Sequence, residues 1–80
     1  METIYLKNLS QMVSYANYDR GTNELLLTYQ SGKATIAYQG VELKLFEELR
    51  HSTFPDACIR FKIQARHPFR KLARTPEPLS

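Results

Sequence analysis

Apolar and polar positions along this chain change rhythm at residue 40. Before Gly40 the dominant period is two. Glu24 to Gln30 is the clearest case, with Leu25, Leu27 and Tyr29 on one face and Leu26 and Thr28 on the other. Ser31-Gly32 follows as a two-residue turn, and Ala34 to Gln39 returns as the next strand, with Ile36 and Tyr38 on one face. Upstream, Met12 to Tyr18 is compatible with a strand through Tyr15 and Tyr18. Asp19-Arg20-Gly21-Thr22-Asn23 is dense in turn formers and reads as a hairpin loop. Thr3 to Leu6 gives a weaker first strand. Together these segments predict an antiparallel meander.

After Gly40 the period lengthens. Val41, Leu45 and Leu49 recur every four residues, with Phe46 beside them and Glu42, Glu47 and Glu48 on other faces. That is an amphipathic helix, closed by Arg50 and His51 where the helix dipole favours positive charge. The predicted core is Leu25, Leu27, Tyr29, Ile36 and Tyr38 of the sheet, with Leu45 and Leu49 packed on them.

Residues 55–66 support two readings. Ile59, Phe61, Ile63 and Ala65 alternate with Arg60, Lys62, Gln64 and Arg66, which is a strand pattern. Pro55 and Asp56 instead suit the first turn of a helix. In a helix, Cys58, Ile59 and Ile63 share one side while Arg60, Phe61 and Gln64 face away. Phe61 separates the two readings: it is core in the strand and exposed in the helix. The fold class is α+β: a small antiparallel meander, one amphipathic helix, and a second short helix or, alternatively, a strand, ending in a basic segment. Residues 1–72 read as a single domain. Residues 73–80, with two prolines and little to bury, read as a flexible tail.

Charge sharpens this picture. Residues 1–50 carry five bases and six acids, whereas 51–80 carry six bases and two acids, so the net +3 is concentrated in the last third. Arg60, Lys62, Arg66, Arg70, Lys71 and Arg74 are interleaved with Phe61, His67 and Phe69. Such a one-sided basic-aromatic run suits a phosphate-rich or acidic partner. The chain of 80 residues has room for one thin core and not for a deep substrate cleft as well. One cysteine, Cys58, excludes an internal disulfide and points to a reducing, cytoplasmic setting. No signal peptide or membrane-spanning stretch is legible, and the chain reads as complete.

The order of motifs resembles the KTSC domain, a small module named for its occurrence at the C-terminus of some lysyl-tRNA synthetases and also found as a free-standing bacterial or phage protein. The resemblance lies in Tyr18-Asp19, in Leu25-x-Leu27-x-Tyr29 followed by Ser31-Gly32, and in Val41 with the helix pair Phe46 and Leu49. It is best at Ile63-Gln64-Ala65-Arg66-His67-Pro68-Phe69-Arg70, which lies over the family's Ile-Arg-x-x-Tyr-Pro-Tyr-Arg without a gap. The resemblance spans residues 12–72. The family's central Tyr-x-Tyr stands here as Ile36-Ala37-Tyr38, and its Ser-x-Gly as Phe54-Pro55-Asp56. The family's Asn ahead of the Ile-Arg pattern is replaced by Arg60 or Phe61. The resemblance implies a helical last segment and, from the attachment to a tRNA enzyme, a suggested role in RNA binding.

Catalytic chemistry finds little support. Cys58, His51 and His67 lack metal-ligand spacing, so no metal or other cofactor is expected. Cys58 sits among apolar residues and reads as core filler. The three glycines form no phosphate loop, and Glu47 and Glu48 diverge on their helix. The expectation is a non-enzymatic binding module that contacts RNA or another nucleic acid through Arg60, Phe61, Lys62, Arg66, Arg70 and Lys71. The alternative is a protein-interaction module, such as a phage-encoded inhibitor docking on a host nucleoprotein complex. It would use the same cations against an acidic protein surface. Neither a membrane nor a small-molecule substrate is expected as partner.

Overall fold

A computed structural model describes residues 1–31 and 34–72. Five antiparallel strands lie in the order of the chain: β1 (Glu2–Tyr5), β2 (Val13–Asp19), β3 (Glu24–Tyr29), β4 (Thr35–Tyr38) and β5 (Phe69–Lys71). Between β4 and β5 come helix α1 (Leu43–His51), the single turn α2 (Pro55–Cys58) and a π-helical segment, Ile59–Gln64, that continues it. The fold is α+β. Gly32, which belongs to the turn predicted at Ser31-Gly32, and the predicted tail 73–80 lie outside the described residues.

Strand register assigns the two faces of the sheet. Ile4 pairs with Ala16, Ala16 with Leu27 and Leu27 with Ile36, while Tyr18 pairs with Leu25 and Leu25 with Tyr38. Paired residues share a face. A register shift between Val13 and Tyr15 sets Val13 opposite Tyr29, and Val13 is buried with that same set. An extra residue in one strand does this: without it, strict alternation would send Val13 to the other side. Leu25, Leu27, Tyr38 and Leu49 are buried as the sequence predicts, whereas Tyr29, Ile36 and Leu45 are half-buried at the margin. Tyr18, Phe46, Ile59 and Ile63 complete the core and are fully buried.

Residues 55–64 are helical. Cys58, Ile59 and Ile63 are buried and Phe61 is 65% exposed, which removes the strand alternative. Two polar anchors explain the outcome. Pro55 starts α2, where its missing N–H costs nothing. The Asp56 carboxylate then accepts from the Ser10 hydroxyl and from the Gln11 amide at 2.9 Å. The Ser10 oxygen in turn accepts from the amides of Met12 and Val13, at 3.0 and 2.8 Å. The start of β2 and the start of α2 are thereby held to one hydroxyl, that of Ser10, forty-six residues from Asp56 in the chain.

Tyr18 holds α1. Its ring stacks on Phe46 with centroids 4.6 Å apart, and its hydroxyl donates to the Val41 carbonyl at 2.6 Å. The Val41 amide donates to the Asn23 carbonyl at 2.8 Å. Asn23 sits at φ 56°, a left-handed conformation that Asn tolerates better than most residues. The β2–β3 turn and the entrance to α1 therefore meet at one tyrosine. On the outside, the Glu2 carboxylate pairs with Arg20 and, at 3.0 Å, with Arg50, whose guanidinium lies 5.1 Å from the centre of the Phe46 ring.

Three expectations follow from this packing. Tyr18→Phe keeps the stack but leaves the buried Val41 carbonyl without its donor, so it should cost about 1–3 kcal/mol in urea unfolding. Ser10→Ala should cost a similar amount, about 1–3 kcal/mol, and raise amide exchange in α2 before the sheet. Leu27→Ala should cost about 2–5 kcal/mol, as for other buried leucines.

The Glu2 carboxyl is held below its ordinary range, chiefly by the hydrogen bond from Arg20, with Arg50 adding to it against a desolvation cost. A carboxyl depressed by folding adds stability above its ordinary range of about pH 4 and loses it as pH falls through the lower folded value. Glu2→Gln should therefore flatten the acid limb of a stability-versus-pH curve and leave the neutral region's slope unchanged.

Candidate nucleic-acid interface

The helical segment and β5 carry the basic residues, and the fold distributes them. In the Ile59–Gln64 segment Ile59 and Ile63 enter the core, so the residues between them face solvent. Arg60 reaches back to the start of β2, with a guanidinium nitrogen 3.7 Å from the Met12 sulfur. Gln64 donates to the Tyr29 hydroxyl at 2.8 Å, and that hydroxyl meets the Tyr38 hydroxyl at 2.8 Å. Burial first, and the Tyr29 hydroxyl second, push the Tyr38 phenol well above its ordinary range, so it stays protonated. Lys62 turns the other way, toward α1, and pairs with Glu48. Arg66 and His67 lie near it, lining a cleft of about 260 Å³ with Glu42, Lys44 and Leu45.

Pro68 marks the return to the sheet. The Gln39 amide donates to the Pro68 carbonyl at 2.9 Å, and the His67 Nδ1–H donates to the Gln39 carbonyl at 3.1 Å. Strand β5 then pairs along β4, with Phe69 opposite Tyr38, Arg70 opposite Ala37 and Lys71 opposite Ile36. Alternation divides these three residues. Phe69 and Lys71 share the face that carries the helices, and the Phe69 ring lies 5.8 Å from that of Tyr38. Arg70 points to the opposite face, where it pairs with Glu24 at 3.3 Å.

Of the six residues singled out in the sequence, Arg60, Phe61, Lys62, Arg66 and Lys71 therefore lie on the helical layer or at its margin, and all five are exposed. Arg70 is exposed on the far face. Lys62 and Arg70 are matched by carboxylates; among the described residues Arg60, Arg66 and Lys71 form no ion pair. The sequence pattern does not single out Phe54, which is 75% exposed. It stands just before the first turn of α2 and lines the same cleft as Phe61. Nor does the pattern disclose Gln64 and the two tyrosine hydroxyls, because Tyr29 and Gln64 are thirty-five residues apart.

Other chemistries have little to build on. Cys58 is buried, and burial raises its thiol pKa, with Glu48 adding to the effect, so the reactive thiolate is disfavoured. No three of the described His, Cys, Asp and Glu residues are grouped so as to hold a metal ion. No described helix is long and apolar enough to cross a membrane.

No protein-family profile matches the chain, and no curated protein matches it in sequence. Solved structures do. The crystal structure of a KTSC domain protein from Yersinia pestis superposes with a TM-score of 0.76, covering 89% of this chain and 99% of that one, at 15% sequence identity. At that identity the likeness is one of architecture. The meander, the two helical elements and the returning edge strand thus form a KTSC-type fold.

Proposed function

We propose that this chain is a small, non-catalytic binding module that contacts RNA through the exposed side of its α2–Gln64 helical layer and the adjoining margin of β5. The observation that carries the reading is Phe61. Its ring is 65% exposed between Arg60 and Lys62, on a segment whose two isoleucines are fully buried. A large apolar ring kept in solvent and flanked by cations is costly to solubility unless it meets a partner, and unpaired bases present both π-faces and phosphates. Arg60, Arg66 and Lys71 supply charge that no described carboxylate neutralises, while Lys62 can exchange its Glu48 partner for a phosphate. The two clefts beside these residues, of about 260 and 270 Å³, favour a surface contact over an enclosed small-molecule site there. The attachment of KTSC domains to a tRNA enzyme supports RNA over DNA.

Fluorescence anisotropy with labelled single-stranded RNA, duplex RNA and DNA across a salt series tests the proposal. Binding should weaken steeply with salt, RNA being preferred. In the charge-reversed variant Arg60→Glu/Arg66→Glu, the slope of log affinity against log salt should fall by about one for each phosphate that is no longer neutralised. Arg70→Ala, on the far face, should leave that slope unchanged, and the far-ultraviolet spectrum should be unaltered in both. An absence of binding at low salt would reject the nucleic-acid reading and leave an acidic protein surface as the partner of these cations.

A further inference from the structure

Phe54 and Phe61 are two of the most exposed large apolar side chains in the described structure, at 75% and 65%, and they line the same cleft. The cleft has a volume of about 270 Å³ and lies between the end of α1 and the α2–π-helical layer, with Ala57 and Cys58 between the two rings in sequence and the Lys62–Glu48 ion pair beside them. Phe54, Ala57 and Phe61 together line one wall of the cleft. The backbone at Phe54 is anchored: its amide donates to the Ser52 hydroxyl at 3.0 Å, and the next residue, Pro55, is buried. Ala57 leaves the space between the rings open.

We propose that this cleft receives an unpaired nucleobase, so that the module discriminates single-stranded from duplex RNA. The inference rests on the nucleic-acid reading above and names the strand state that the site accepts. Three features favour a base over an apolar protein segment. The volume is below the range of about 300–1,000 Å³ usual for ligand pockets and suits one flat group, not the length of a helix. Lys62 lines the cleft beside the Phe61 ring and offers a cation to the phosphate next to the inserted base. The Glu48 carboxylate accepts hydrogen bonds only, so it suits the exocyclic amino group of a base and not a phosphate. A base in a duplex is stacked on its neighbours and cannot enter, and extruding it costs a few kcal/mol.

The test compares one unstructured, labelled RNA strand with the duplex made by annealing it to its complement, at fixed low salt. The wild-type protein should bind the single strand more tightly. Phe54→Ala and Phe61→Ala, both on exposed rings and so expected to keep the fold, should each weaken single-strand binding about tenfold or more. Duplex binding should fall much less, and Phe61→Tyr, which keeps a stacking face, should retain single-strand affinity. Salt-dependent binding that is indifferent to strand state, or that both ring truncations leave unaltered, overturns the base-insertion inference while the nucleic-acid reading stands. Equal losses on single strand and duplex overturn it as well. A wild-type protein that binds neither form brings down the reading and the inference together.

Discussion

A buried tyrosine organises this small domain. Tyr18 presents an apolar ring to Phe46 and a hydroxyl to the Val41 carbonyl, so one side chain satisfies both packing and polar needs at the junction of sheet and helix. The Val41 carbonyl has no place in α1, which begins two residues later, and Tyr18 gives it a donor away from water. Burial pushes the Tyr18 phenol above its ordinary range, which keeps it a donor across the physiological span. Everything beyond Gly40 is oriented from this joint. α1 fixes the side of the sheet that is covered, and α2 and the π-helical segment then close over what α1 leaves open.

That closure is also what exposes the candidate interface. An 80-residue chain has few residues to spare for a second layer. Here the layer is one helix of nine residues, one turn and one π-helical segment. Only Ile59 and Ile63 of the π-helical segment are needed as cover, and the other four of its residues are left to solvent. The wider π-helical turn is a form often found at functional sites. It leaves Arg60 and Gln64 directed toward the sheet while Phe61 and Lys62 turn toward α1. A regular alternating strand would have buried Phe61 with the isoleucines and left no ring beside the cations.

The short strand β5 makes a second division. It adds to β4 through three paired residues and a further bond from the Leu72 amide to the Thr35 carbonyl at 3.0 Å. Edge strands are commonly short and charged, which discourages pairing with other chains. In this one, Arg70 is matched by Glu24 across the outer face, whereas Lys71 stays with the helical layer. The basic run seen in the sequence is therefore not one patch. It is a cluster around the helical segment plus an outlying arginine with a structural partner.

Local rules were enough to determine the meander, the break at Gly40 and the amphipathic α1, because each rests on periodicity within about ten residues. The alternation in Leu25–Tyr29 and the four-residue recurrence of Val41, Leu45 and Leu49 needed no distant information. The excess of positive charge beyond residue 57 was equally legible. Residues 55–64 were not, since Ile59 and Ile63 lie inward in either a strand or a helix, and only Phe61 distinguishes the two. Tertiary structure decided it through contacts remote in sequence: Asp56 with Ser10, Gln64 with Tyr29, and the place beside β4 taken by Phe69–Lys71. Three paired residues are too few to show a period, so β5 was invisible to pattern. The Glu48 and Glu24 partners that separate Lys62 and Arg70 from the remaining cations were hidden for a related reason. An ion pair depends on where two side chains meet in space, and the spacing of charges along the chain does not contain that.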